Sequence, residues 1–350
     1  MKKIILTFIL LQFLNFNYAQ SVRPVCDDVG FCWNANDITS LMKYLEKQET
    51  SDFSGDNLVA GISPHDDFLY AGRVYFPLFR MINTKEVVIF GLTHGTVRKE
   101  IGDPKDILIL DEFDYWKGPF GNISVSPLRE KIKKELGKQY FVINNKAQSL
   151  EHSIEALLPF LQYYNRDIKI TPIMVTASSL ERMDEISSKL SEIISSYINE
   201  NKLKLGKDIF FLFSSDANHF GKDFSNTPYG EDKAAHLKGT ANDKRIADTY
   251  FNGSINKEKI EKFTNELWPD SLSNEPKPLW CGRYSIPFGL LTTTKVIKNV
   301  TGKDIEGKVL RYSDTWTEKV IPLQNTSLGI TAPFSLKHWV GFLSAGFYLR

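Results

Sequence analysis

The feature that most constrains this chain is a repeated alternation of short, almost uninterrupted apolar runs with longer amphipathic stretches. Leu58-Val59-Ala60-Gly61-Ile62, Val87-Val88-Ile89-Phe90, Ile168 to Val175 and Ile209 to Phe213 are runs of the first kind. Strands covered on both faces of a parallel sheet have no polar face to present, so they read this way. Helical periodicity marks Ala71 to Ile82, Leu128 to Leu136, Glu151 to Tyr164 behind Ser149 as N-cap, and Leu180 to Ile198. It returns over Glu231 to Phe251, Lys257 to Leu267 and Arg283 to Ile297, and Trp339 to Tyr348 reads as a closing strand. Strands alternating with helices predict an α/β fold: a mostly parallel or mixed central sheet with helices on both faces. A hydrophobic content of 42% with 24 Phe can fill one sizeable core. No repeat or low-complexity linker divides the chain, and Pro269 to Pro278 reads as a surface loop.

The N-terminus has a different grammar. Met1-Lys2-Lys3 precedes a mostly apolar run from Ile4 to Leu14, then a more polar stretch with the small residue Ala19. These are the three parts of a secretory signal peptide, and the apolar run is shorter than the ~20 residues a membrane span needs. The expectation is a signal at 1–19, cleavage after Ala19, and a secreted or periplasmic chain of 20–350 with no integral membrane segment. In an oxidising compartment Cys26 and Cys32 are close enough in sequence to pair, which leaves Cys281 as the odd thiol. With 43 basic and 42 acidic residues, no field of one sign draws in nucleic acid or an anionic membrane. There is no Gly-rich phosphate loop or dinucleotide fingerprint, so nucleotide cofactors are not expected.

The chemistry-bearing residues gather just past the strand ends, where open α/β sheets bind ligands. The first strand runs into Ser63-Pro64-His65-Asp66-Asp67, the second into Gly91-Leu92-Thr93-His94-Gly95, and the last into Ser214-Ser215-Asp216-Ala217-Asn218-His219. Three of only six histidines occupy these positions. Alone, each is most simply a solvated or hydrogen-bonded side chain, but strand ends are brought together by topology. Imidazole is the commonest metal ligand. Asp216 suits an N-cap, an orienting carboxylate, a ligand or a base. His152 beside Glu151 is expected in the first turn of a helix, where Glu151 also suits the dipole without any function. Cys281 opens a helix with Arg283 next to it, a setting that lowers a thiol's pKa and makes the thiolate a metal ligand or a nucleophile with His219 as base.

Taken in order, these motifs resemble the Memo family, also called AmmeMemoRadiSam system protein B. Pro64-His65 with Phe68 and Tyr70 is similar to its Pro-His-Ala-Gly-Tyr segment, and Gly91-Leu92-Thr93-His94 to its Gly-Pro-Ser-His. Glu151-His152-Ser153-Ile154-Glu155 resembles its Glu-His-Ser-Ile-Glu. Ser214-Ser215-Asp216 with His219 and Gly221, and Cys281-Gly282-Arg283 with Ile286, resemble its Ser-Ser-Asp and Cys-Gly-Arg motifs. The resemblance implies one Memo-like domain over 20–350, folded like class III extradiol dioxygenases. It implies His65, His94 and Cys281 as metal ligands, His219 and Asp216 as catalytic residues, and Glu151, His152, Tyr70 and Arg283 lining the cleft. Asp66-Asp67 stand where Ala-Gly is usual, Gly95 where a second histidine is common, and the signal peptide is a further departure.

The expected function is that of a secreted metalloprotein with iron- or copper-dependent redox activity of dioxygenase type. Zinc on the same ligands would instead make a metallohydrolase with His219 as base. A non-catalytic peptide- or metal-binding protein on the same fold is the third reading. The ligand is a small molecule or peptide, and oligomeric state is not legible.

Overall fold

In a computed structural model, residues 20–50, 52–268 and 277–350 are described. The expected signal peptide and most of the Pro269 to Pro278 loop lie outside them. Four strands form the middle of a large mixed sheet: β1 (Leu58–Ser63), β2 (Glu86–Leu92), β3 (Lys169–Val175) and β4 (Ile209–Ser214). Their spatial order is β3-β2-β4-β1, and every neighbouring pair is parallel. The chain then adds β5 (Ile305–Asp314) and β6 (His338–Leu349), with β6 antiparallel to both β1 and β5. Beyond β3, Gly121–Val125 joins in parallel and folds back on Tyr115–Gly118.

The continuous apolar runs are explained by two cores, one on each face. Along β4, Ile209, Phe211 and Phe213 enter one core while Phe210 and Leu212 enter the other. In β2, Val88 and Phe90 face the first core and Val87 and Ile89 the second. A strand alternates its side chains between faces, so an all-apolar strand needs cover on both. Helices Leu180–Glu200 and Ser285–Thr301 cover one face, and Phe68–Phe79 with Ala35–Gln48 the other. Each large apolar side chain so buried contributes roughly 1.5–3 kcal/mol before entropy is counted. Among the described residues no helix is long and apolar enough to cross a membrane.

Three expectations need correction. The helix expected over Glu151 to Tyr164 is split: Asn145–Leu150 ends just before Glu151, and the next α-helix runs Leu158–Tyr164. Ser149 lies inside the first of these rather than capping the second, and His152 is not in a helical turn. The reason is the Glu151 carboxylate, which accepts from the backbone N–H groups of His94 and Ser153. The final helix begins at Ser285, so Cys281 sits in the turns before it rather than opening it. Cys26 and Cys32 are unpaired: Cys32 is buried in the core while Cys26 is exposed, its amide drawn to the Glu155 carboxylate.

Candidate metal centre

Strand order decides which ends are neighbours. With β4 between β1 and β2, the residues following all three emerge at one edge of the sheet. This brings together His65 after β1, His94 after β2, and Asp216 and His219 after β4. The fourth wall is the turn carrying Cys281. His219 donates its N–H to the Leu279 carbonyl at 3.0 Å, and Gly282 donates to Ser215 Oγ at 3.1 Å. A Cβ at Gly282 would lie 2.2 Å from that of Ser215, so only glycine allows the turn to approach this closely. The result is Cys281 Sγ at 3.4 Å from His65 Nε2 and 3.0 Å from the Asp216 N–H that donates to it.

Hydrogen bonds behind the site determine which nitrogen faces it. Ser214 Oγ gives its single proton to the Ser153 carbonyl at 2.5 Å. It must therefore accept from His65 Nδ1–H at 2.7 Å, which leaves a lone pair on His65 Nε2. His94 Nδ1 is 2.7 Å from Glu151 Oε1, so its Nε2 is likewise turned away from the protein's own acceptors. Nδ1 held by a carboxylate or hydroxyl, with Nε2 free, is the arrangement of metal-bound imidazoles. One ligand atom from each of His65, His94 and Cys281 lies within 4.8 Å of the other two, and the same holds for Asp216, His219 and Cys281 and for His94, Glu151 and His152. Soft thiolate with two imidazoles is a donor set that fits a transition metal.

Electrostatics reinforce this geometry. Burial alone would raise the Glu151 carboxyl, but the His94 ring and N–H hold it down to about 2. For His94 burial favours the neutral form, yet Glu151 more than offsets it and the net shift is upward. Burial drives His65 well below an ordinary imidazole, reinforced by His94, His152 and His219. His219 and His152 are both lowered to about 4, by burial and then by His94. Asp216 is pushed up to about 7, chiefly by burial.

Asp216 is no N-cap, because no helix follows it. Its carboxylate accepts the His65 N–H at 3.0 Å and reaches 3.3 Å from His65 Nε2. The Cys281 thiol is raised well above its ordinary value by burial and by Asp216, opposite to the expected lowering. Without a helix N-terminus at Cys281, desolvation of the thiolate outweighs any effect of Arg283. A bound cation reverses that balance, because a coordinated thiol is deprotonated.

The site opens into a cleft of ≈ 610 Å³ whose walls include His65, His94, His152, His219, Cys281 and Arg283. His152 stacks on His94 with ring centroids 4.5 Å apart. Glu151 and Tyr70 stand one layer back: Glu151 behind His94, and Tyr70 against Phe334, with its hydroxyl donating to the Ala332 carbonyl at 3.3 Å. Asp67 tethers the rim, accepting from Thr331 N at 2.5 Å and Thr331 Oγ1 at 2.7 Å. Asp66 also lines the cleft, and burial beside Asp216 and Asp67 raises its carboxyl well above the ordinary range. The rim residues Thr331, Ala332, Phe334, Phe224 and His338 carry no sequence signal, since segments outside the strand-end motifs deliver them. Ser214 and Ser153 did sit within recognisable motifs, but nothing in a serine announces that it orients a histidine.

The Memo-like protein profile matches residues 32–321, a span containing every residue discussed for the site except His338 and the Thr331 to Phe334 rim. MEMO1 family proteins are among the relatives. That of Methanosarcina barkeri is 28% identical over 183 residues, covering 50% of this chain and 62% of the relative. That of Saccharolobus islandicus is 32% identical over 184 residues, covering 50% and 58%. One from Pyrobaculum arsenaticum is 28% identical over 174 residues, covering 47% and 55%. The alignments thus span under two thirds of these relatives, while the family profile extends over most of this chain. On that match, with the strand-end motifs assembled in one cleft, the chain belongs to the Memo family.

Proposed function

We propose that this protein is an exported metal-dependent oxidoreductase that acts on a small molecule in the strand-end cleft. His65, His94 and Cys281 are its metal ligands. The observation that carries the reading is the convergence of these three ligand atoms within 4.8 Å, with the Nδ1 of each histidine already committed to Ser214 or Glu151. Iron or copper held there would supply a redox couple and open coordination positions.

The chain's own residues supply the proton chemistry. His219 Nδ1 lies 3.1 Å from the Ala217 carbonyl, which places the proton on Nδ1 and leaves Nε2 as a base. With its pKa at about 4 the ring is neutral at physiological pH and accepts a proton from a bound hydroxyl or water. The Asp216 N–H donates to Cys281 Sγ and so stabilises the thiolate over the thiol. Metal uptake must expel the thiol proton, so affinity rises with pH. Export rests on the signal pattern of 1–19; N-terminal sequencing of the mature chain is expected to begin at Gln20.

The test is elemental analysis of protein purified without chelator or affinity metal, beside Cys281→Ser. Near-stoichiometric iron or copper that is lost in the variant supports the reading. Stoichiometric zinc replaces it with a hydrolase, for which the same imidazole–thiolate set is suited. No metal in the wild type after loading with each ion overturns it.

A further inference from the structure

Arginines in this protein are almost all spent. Arg23 reaches Glu155 and three carbonyls, Arg129 pairs with Asp111 and Glu130, and Arg311 with Glu49 and Glu318. Arg98, which also reaches the cleft, donates to the Thr93 carbonyl at 2.9 Å and lies 3.5 Å from Asp103. Arg283 is different. It lines the cleft two residues beyond Cys281, and its Nε is buried without any hydrogen-bond partner. Among the described residues no carboxylate pairs with its guanidinium, which lies over the Tyr284 ring at 5.5 Å from the centroid. Its backbone is nonetheless held, the Trp268 indole donating to the Arg283 carbonyl at 2.7 Å. A half-buried cation on a fixed base, with no carboxylate beside it to answer its charge, favours a ligand that brings one.

We infer that Arg283 recognises the carboxylate of the substrate, and that the substrate is an organic acid with an apolar body. The planar guanidinium offers parallel N–H donors that match a carboxylate. Of the two arginines among the described residues that line the cleft, Arg283 is the one without a carboxylate partner, and Asp66 and Asp216 already line the walls, so a single negative charge suits it better than a phosphate dianion. The remaining walls include Leu92, Phe224, Leu279, Phe334 and Val340, an apolar surround that excludes water from an Arg–carboxylate pair and strengthens it. The volume of ≈ 610 Å³ falls among small-molecule sites rather than extended peptide grooves. This inference rests on reading the cleft as a substrate site, and metal content is measured separately so that the two can fail apart.

The test is calorimetric titration of the full chain as isolated, with metal content matched between samples. The probes are phenylacetate, its neutral isostere phenylacetamide, and phenyl phosphate. The expected result is phenylacetate binding at least about tenfold tighter than the amide, in line with a charge-assisted hydrogen bond. Arg283→Gln removes that preference, and Arg283→Lys keeps part of it, which controls for folding. The inference is overturned if phenylacetate binds Arg283→Gln as it binds wild type, since a metal or another group then holds the carboxylate. Equal affinity for the amide, tighter binding of phenyl phosphate, or binding of none of the three also overturns it.

Discussion

Two clusters of buried titratable groups around histidines can be set side by side among the described residues, and they differ in whether their ligand atoms are spent. In the first, His65, His94, His219 and Cys281 turn lone pairs into a shared cleft. In the second, behind the sheet's closing strands, every acceptor is answered. Asp314 accepts from His236 Nε2 at 3.0 Å, from the N–H groups of Trp316 and Thr317, and from the Thr317 hydroxyl. Asp243 accepts from Trp280 Nε1 at 2.9 Å, the Tyr312 hydroxyl at 2.8 Å and Asn218 N–H at 3.3 Å. Both clusters have strongly shifted groups, with Asp243 pushed up to about 7 mainly by burial, as Asp216 is. Perturbed pKa values therefore do not separate a site from a structural brace here; free ligand atoms facing one space do.

The sharpest way to break the comparison is to exchange the fates of the two histidine sets. His65→Ala is expected to abolish near-stoichiometric metal binding while the protein stays folded, and His236→Gln to leave metal content intact but lower the melting temperature. Elemental analysis with thermal unfolding reads both, and metal loss in His236→Gln would erase the distinction. The next effect falls on the brace. Asp243→Ala strands three buried donors and is expected to cost about 3 kcal/mol in urea unfolding.

The same residue gives a pH signature. Asp243 titrates at about 7 in the folded chain and near ~4 unfolded, so the folded state holds the extra proton between them. Its contribution is full below pH ~4 and is lost as pH rises through 7. The stability of wild type relative to Asp243→Asn should accordingly fall across that window, and a flat difference would show that Asp243 is ionised in the fold.

Glu151→Gln tests the layer behind the site. Losing the carboxylate that orients His94 is expected to weaken metal binding about 10–100-fold, the usual cost of such a change. Competition with a chelator measures it, and an unchanged affinity would show that His94 needs no such partner. Smallest is Asp67→Ala, which frees Thr331 at the rim for a loss of about 1 kcal/mol. Faster hydrogen exchange confined to the Thr331 segment is the expected sign, and unaltered exchange would show that the tether is dispensable.

Much of this site was legible before the fold was known. Three strand-end motifs place His65, His94 and Asp216–His219 at one edge because parallel strands share the direction of their carboxyl ends. The motif marks Cys281 but not its environment, since the helix begins only four residues on, at Ser285, whose hydroxyl donates to the Ser214 carbonyl. The break at Glu151 was invisible for a related reason. The helical periodicity around it is real, but a single buried carboxylate accepts from His94, far away in sequence, as well as from the nearby Ser153 N–H.

What the sequence determined by itself was periodicity and local motif: continuous apolar runs that demand cover on both faces, and the residue types placed after each run. What only the tertiary structure decided was the direction and occupancy of each polar atom. That Ser214 spends its proton on Ser153 and so fixes His65, that Thr331 reaches Asp67, and that no carboxylate among the described residues pairs with Arg283 are facts about atoms brought together from distant segments. Hydrogen bonds are saturable and directional, so their partners follow from where the chain returns in space. Hydrophobic patterning carries no such specification, and this is why it can be read in advance.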